Sequence, residues 1–191
     1  MEINEIELTF KDTELIERFY NLLINEFKTT NEIDTLDNLI YRLENKPNPD
    51  ISIAKVYVND RDELLGGILY DYYKDINVIG IQFIVINPKF KCQGIANIIY
   101  KRMISVYQYN LKFVFIEVDK GSNCKGFWEH LGFRDTKILY IRPSLDGKKL
   151  CDYLELWYKD YNGSVLQKKD IDAFIRQYEE YAIKLPKKIN N

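Results

Sequence analysis

The sequence predicts a single domain of mixed α/β class. Three observations carry this: helical apolar spacing near both ends of the chain, a middle rich in β-branched and aromatic strand patterns, and 46% hydrophobic content in 191 residues. A chain of that length is near one ordinary domain and buries roughly 70% of the surface its unfolded form exposes.

In chain order, residues 5–10 (Glu-Ile-Glu-Leu-Thr-Phe) alternate polar and apolar, the period of a half-buried strand. Asp12 or Thr13 offers an N-cap to a helix bearing Leu15, Ile16, Phe19, Leu22, Leu23 and Phe27. A second helix spans 34–44, with Leu36, Leu39, Ile40 and Leu43 on one face, and Pro47 and Pro49 bar its continuation. Residues 51–58 and 64–73 read as strands, and Gly66-Gly67 lies inside the second. The run 78–86 is nearly continuously apolar, as in a strand buried on both faces, and Asn87-Pro88 stops it. Residues 95–109 read as a helix with Ile98, Ile99, Met103 and Val106 inward. Residues 112–118 follow as a strand, 122–131 as a short helix, and 136–141 and 153–158 as two more strands. A C-terminal helix over 170–183, with Asp170 as N-cap, completes the order β-α-α-β-β-β-loop-α-β-α-β-β-α.

Composition excludes several functions. The net charge of −2 provides no basic excess for nucleic acid. The one basic cluster, Lys184, Lys187 and Lys188, is broken by Pro186 and reads as a solvated tail. No apolar run has the ~18 residues of a membrane span, and the acidic start Met1-Glu2-Ile3-Asn4-Glu5 is unlike a secretory signal. Cys92, Cys124 and Cys151 are three, widely spaced and without a CxxC pair, so neither a disulfide framework nor a metal site is expected. The expected compartment is the cytoplasm. The lone histidine, His130, excludes a multi-imidazole zinc site and reads as a packed or surface residue beside Trp128 and Leu131.

The informative segment is the loop after the apolar strand: Lys91, Cys92, Gln93, Gly94, Ile95 and Ala96, where a helix begins. A helix N-terminus leaves about four N–H groups without internal partners and carries positive potential, so it suits an anion. Gly94 lets the backbone approach a phosphate, Ala96 keeps the next turn small, and Lys91 adds charge, with Lys89 and Lys101 nearby. A diphosphate is the ligand this loop fits best. It is neither a P-loop nor a dinucleotide-binding GxGxxG.

The same six residues resemble the [QR]xxGx[GA] loop of the GNAT acetyltransferases. Further on, Gly126-Phe127-Trp128-Glu129-His130-Leu131-Gly132-Phe133 resembles that family's second signature, a helix closing in "FYEKLGF". The resemblance covers 51–133 well and the flanking segments by element order. It implies a mixed, mostly antiparallel sheet flanked by helices, with residues 1–162 as the acetyltransferase domain and 163–191 as a C-terminal helical extension packed on it. It also implies acetyl-CoA as cofactor and N-acetyl transfer to a small-molecule or peptide amine, by direct attack in a ternary complex. A monomer or homodimer without nucleic-acid or membrane partners is expected.

By the same resemblance, the fourth and fifth strands part to admit the pantetheine arm. Ile84 and Ile86 would pair with it, and an N–H near Val85 would polarise the thioester carbonyl. Asn123 would contact the cofactor or cap the short helix, and Phe127 and Trp128 would wall it. Two positions depart from the family pattern. Lys91 stands where Gln or Arg is usual, and it lacks arginine's bidentate fork. Trp128 stands where many members carry a tyrosine that protonates the leaving thiolate, and an indole cannot act as that acid. The fourth strand carries no carboxylate, only Gln82, so Glu117 and then Asp71 are the candidate bases. A second reading is a catalytically silent acyl-CoA-binding domain acting as a sensor or interaction module. The acceptor and the size of the acyl group stay open.

Overall fold

The computed structural model describes residues 2–27, 33–143 and 150–183, side chains of the last two excepted. The basic cluster 184–188 lies outside them. The chain forms β1 (Ile3–Glu7), α1 (Thr13–Glu26), α2 (Leu36–Glu44), β2 (Ile53–Asn59), β3 (Leu64–Tyr73) and β4 (Val78–Ile86). After a 3₁₀ turn at Pro88–Phe90 come α3 (Ile95–Tyr107), β5 (Phe113–Asp119), α4 (Lys125–His130), β6 (Arg134–Asp135), β7 (Arg142–Pro143), β8 (Leu150–Cys151), β9 (Leu154–Asp160) and α5 (Lys168–Tyr178), which runs into a π-helical turn. Among the described residues no helix is long and apolar enough to cross a membrane.

Seven strands form one sheet in the order β1-β2-β3-β4-β5-β9-β6, antiparallel except for β4 with β5. Strand side chains alternate between two covered faces. On one, Ile68, Tyr70, Ile79 and Ile81 pack with Val114 and Ile116 under Ile99 and Met103 of α3 and Trp128 of α4. On the other, Val56, Leu69 and Val85 pack under Ile16, Phe19 and Leu23 of α1 and Leu39 and Leu43 of α2. Further along that face, Phe113, Phe115 and Leu156 pack under Ile171 and Phe174 of α5. The mixed, mostly antiparallel architecture expected from the sequence is the one present.

Local differences have local causes. β1 ends at Glu7 because Asp12 turns back, its Oδ2 accepting from Thr9 N (2.8 Å) and Thr9 Oγ1 (2.7 Å) instead of capping α1. Thr35, whose Oγ1 accepts from Asn38 N at 3.2 Å, caps α2. Asp170 is one turn inside α5, and its Oδ2 accepts from Gln167 N at 2.9 Å. The inward stripe of α3 is Ile95, Ile99, Tyr100 and Met103, while Val106 is exposed. Residues 136–141 form no strand, and left-handed Lys137 (φ 62°) opens the segment.

Candidate active site

Gly94 adopts φ 77° and Cys92 φ 59°, so the loop into α3 turns through two left-handed residues. The position a Cβ would take on Gly94 is clear of other atoms to 4 Å. Ile95, 2% exposed, anchors the helix start in the core, and Lys91, Cys92 and Gln93 stay exposed around it. Ile98 N donates to Gly94 O (3.1 Å), and the amides ahead of it in the first turn have no i−4 partner. The Lys91 ammonium is held by Glu26 Oε1 and Oε2 of α1 at 2.8 and 2.7 Å.

β4 pairs with β5 from Val78↔Phe113 to Ile81↔Ile116 and no further, although β4 runs to Ile86 and β5 to Asp119. The reason lies on the other edge of β4. Its register with β3 jumps from Leu69↔Phe83 to Tyr70↔Ile81, leaving Gln82 as an extra residue. Such a bulge bends its strand. Beyond it, β4 and β5 bound a gap.

Asn87 N donates to Leu65 O of β3 at 2.9 Å. Amides two residues apart point to the same side of a strand, so the N–H of Val85 also faces β3. The amides and carbonyls of Ile84 and Ile86 face the gap. The amides that face the gap are thus those of Ile84 and Ile86, while that of Val85, the residue singled out in the sequence, is turned to β3.

Around α4, Asn123 is exposed and stands outside the helix. Cys124 is at the cap position, with Ser122 Oγ accepting its N–H at 3.1 Å. Trp128 is 9% exposed and packs edge-on to Phe127 and Phe133 at 4.9 and 5.1 Å. His130 is exposed, on the rim of a groove of about 370 Å³ that also carries Lys101 and Lys159.

Two carboxylates, buried Asp71 and half-buried Glu117, lie on the opposite face of the sheet. Asp71 accepts from Ser52 N (2.7 Å), Gln82 Nε2 (2.6 Å) and Tyr73 Oη (3.2 Å). Burial pushes its carboxyl above the ordinary range, and the Arg42 charge with these hydrogen bonds offsets that only in part. Glu117 directly follows Ile116, the last β5 residue paired with β4. Its Oε1 accepts from Tyr140 Oη (2.6 Å) and Arg142 Nε, and its Oε2 from Arg142 Nη2 (2.6 Å) and Tyr178 Oη (3.1 Å). A carboxylate offers about four lone-pair positions, so donors fill Glu117. Burial, then the charge of Glu117, pushes the Tyr140 and Tyr178 hydroxyls well above their usual value. Tyr140, Arg142 and Tyr178 were not legible in sequence, since they are 23, 25 and 61 residues from Glu117 and belong to no motif.

The sheet, with its fourth and fifth strands parting beside a glycine-opened helix start, has the fold of an acetyltransferase. The acetyltransferase (GNAT) family model matches residues 16–133, more than half of the chain, and the chain belongs to that family. A protein of the GNAT acetyltransferase family from Bacteroides thetaiotaomicron superposes with a TM-score of 0.75 at 15% identity, covering 96% of this chain and 99% of that one. A GNAT-family acetyltransferase from Staphylococcus aureus Mu50 gives 0.63 at 15% identity, covering 83% and 99%. The ribosomal-protein-S18-alanine N-acetyltransferase from Escherichia coli gives 0.59 at 13%, covering 87% and 97%. At these identities the likeness establishes the fold. No curated protein matches the sequence significantly.

Proposed function

We propose that this protein transfers an acetyl group from acetyl-CoA to a primary amine, on a small molecule or a peptide, by direct attack with donor and acceptor bound together. The observation that carries the reading is the parting of β4 from β5 after Ile81↔Ile116, next to the open start of α3. The residues fit the donor. The gap-facing backbone of Ile84 and Ile86 suits an extended pantetheine arm, as an added strand would pair. The loop Lys91, Cys92, Gln93, Gly94, Ile95 and Ala96 suits the diphosphate, with Lys91 exchanging Glu26 for a phosphate oxygen. Phe127 and Trp128 wall the arm, and exposed Asn123 contacts it from outside α4.

Acetyl-CoA supplies an acyl carbon already activated as a thioester. The chain supplies an amide, from Ile84 or Ile86, aimed at the oxygen where charge develops; loss of such a donor costs on the order of 10²–10³ in rate. A thiol with a pKa near ~8.5 leaves with little help, which suits a site with Trp128 in place of an acid. Of the two candidate bases, Asp71 is favoured over Glu117, whose lone pairs are taken, and water shares the role. The same reading treats 1–162 as the acetyltransferase domain and 163–191 as its helical extension. The stacking of Phe174 on Phe115 at 4.4 Å supports the packing of that extension on the domain.

Calorimetry with acetyl-CoA, followed by thiol release over an amine panel, tests this. The parent binds, and Gly94→Glu, folded by circular dichroism, loses binding because its side chain and charge enter the phosphate position. A Gly94→Glu protein that binds acetyl-CoA as tightly as the parent would sink the loop assignment.

A further inference from the structure

Arg42, in α2, is 6% exposed, yet no carboxylate pairs with it among the described residues. Its hydrogen bonds run from Nη2 alone, to Ser52 Oγ and Gln82 Oε1, both at a long 3.3 Å. Its Nε is fully buried and has no partner. An arginine present only to neutralise Asp71 would lie against it with its planar fork engaged. Here Gln82 stands between them: its Nε2 goes to Asp71 at 2.6 Å, which turns its Oε1 to Arg42. Asp71 thereby sets the orientation of Gln82, and the guanidinium keeps donors unspent. A second cation, partly buried Lys46, is near enough to feel both Asp71 and Glu7.

The place matters as much as the charge. Gln82 is the bulge residue at the point where β4 leaves β5. Two residues on, at roughly 3.3 Å each, is Ile84, whose backbone faces the gap. With the length of the Gln82 side chain added, Arg42 is on the order of 10 Å from the position assigned to the thioester, which leaves room for an amine and a carboxylate a few bonds apart on one acceptor.

Resting on the acetyltransfer reading, we propose that Arg42 receives a carboxylate of the acceptor, so that the substrate is a small amino acid and not a simple amine. A planar carboxylate takes the parallel donors of a guanidinium edge. A purely cationic amine would meet repulsion at the same place.

The test uses the proteinogenic amino acids, β-alanine and γ-aminobutyrate, each beside its amide, with the full chain loaded with CoA for calorimetry or with acetyl-CoA for thiol release. At least one acid is expected to bind and react about tenfold or more better than its amide, the equivalent of one charge-assisted hydrogen bond. Arg42→Gln is expected to collapse that ratio, and Arg42→Lys to restore part of it. Acid-selective binding without thiol release supports the Arg42 site while sinking the acetyltransfer reading. Thiol release with no acid preferred over its amide overturns the Arg42 site and spares that reading. The Arg42 site is overturned equally by a panel in which no acid binds better than its amide, or by a folded Arg42→Gln that keeps the parent's ratio.

Discussion

Asp71 is a buried carboxylate and Glu117 a half-buried one, and what surrounds each separates their chemistry. Glu117 receives two donors from Arg142 and one each from Tyr140 and Tyr178, so it holds β5 to the segments bearing them and has no lone pair left for an incoming proton. Asp71 receives three donors, and burial raises its proton affinity, which suits it better to take a proton from an ammonium. Sequence alone ranks them the other way, because Glu117 ends the right strand and its partners are distant. The pH–rate profile of kcat/KM decides. As a base, Asp71 must be ionised, so the rate falls as pH drops through its raised value, and Asp71→Asn should remove that acidic limb. Glu117→Gln should keep the limb while costing about 1–3 kcal/mol in stability, since it removes the charge that Arg142, 3% exposed, bonds through Nε and Nη2. Both variants retaining the parent's limb and plateau would assign the proton to water.

At the scale of elements, the strands with clear period or unbroken apolar runs were legible, and so were the helices with a spaced apolar face. What was not legible came from contacts. The run 78–86 reads as one uninterrupted strand, yet its bulge at Gln82 depends on pairing with β3. Residues 136–141 alternate like a strand, but after the Thr136 N–H reaches Leu156 O of β9 at 3.0 Å the segment instead packs Ile138 and Tyr140 against the α5 cluster. The loop 91–96 was readable because its chemistry is local, whereas Arg42, brought beside Gln82 from 40 residues away, was not. α5 shows how a distant element completes the sheet. Phe174 is 1% exposed, stacks on Phe115 at 4.4 Å, and its ring lies 3.0 Å from where a Cβ on Gly80 would stand. Phe174→Ala should cost about 3–5 kcal/mol, and Gly80→Val, which drives a side chain into the same ring, should cost at least about 1 kcal/mol by overpacking. Chemical denaturation measures both, and a Phe174→Ala midpoint equal to the parent's would mean α5 is not part of the cooperative core.

Across the whole molecule, the sheet is two blocks meeting along a short seam. β1 to β4 carry α1 and α2, while β5, β9 and β6 carry α5, which also reaches Tyr73 and Val78 of the first block. Backbone pairing between the blocks is limited to the register Val78↔Phe113 through Ile81↔Ile116, and side chains of α3 bridge them on one face. A gap beyond such a seam leaves backbone groups of β4 and β5 to water, and a ligand that pairs with them joins the blocks as another strand would. Binding to the native state stabilises it by mass action, ~2.7 kcal/mol at a hundredfold excess over Kd, which for a chain of this size raises Tm by roughly 5–10 °C. The distribution of the gain discriminates further than its size. If the pantetheine arm occupies the gap, acetyl-CoA should slow hydrogen exchange at Ile84 and Ile86 on one block and at Glu117 and Asp119, whose amides face away from β9, on the other, as well as in the first turn of α3. Exchange slowed only at α3, with both strand edges unchanged, would mean that the ligand sits on the helix start alone and that the gap between β4 and β5 is not its site.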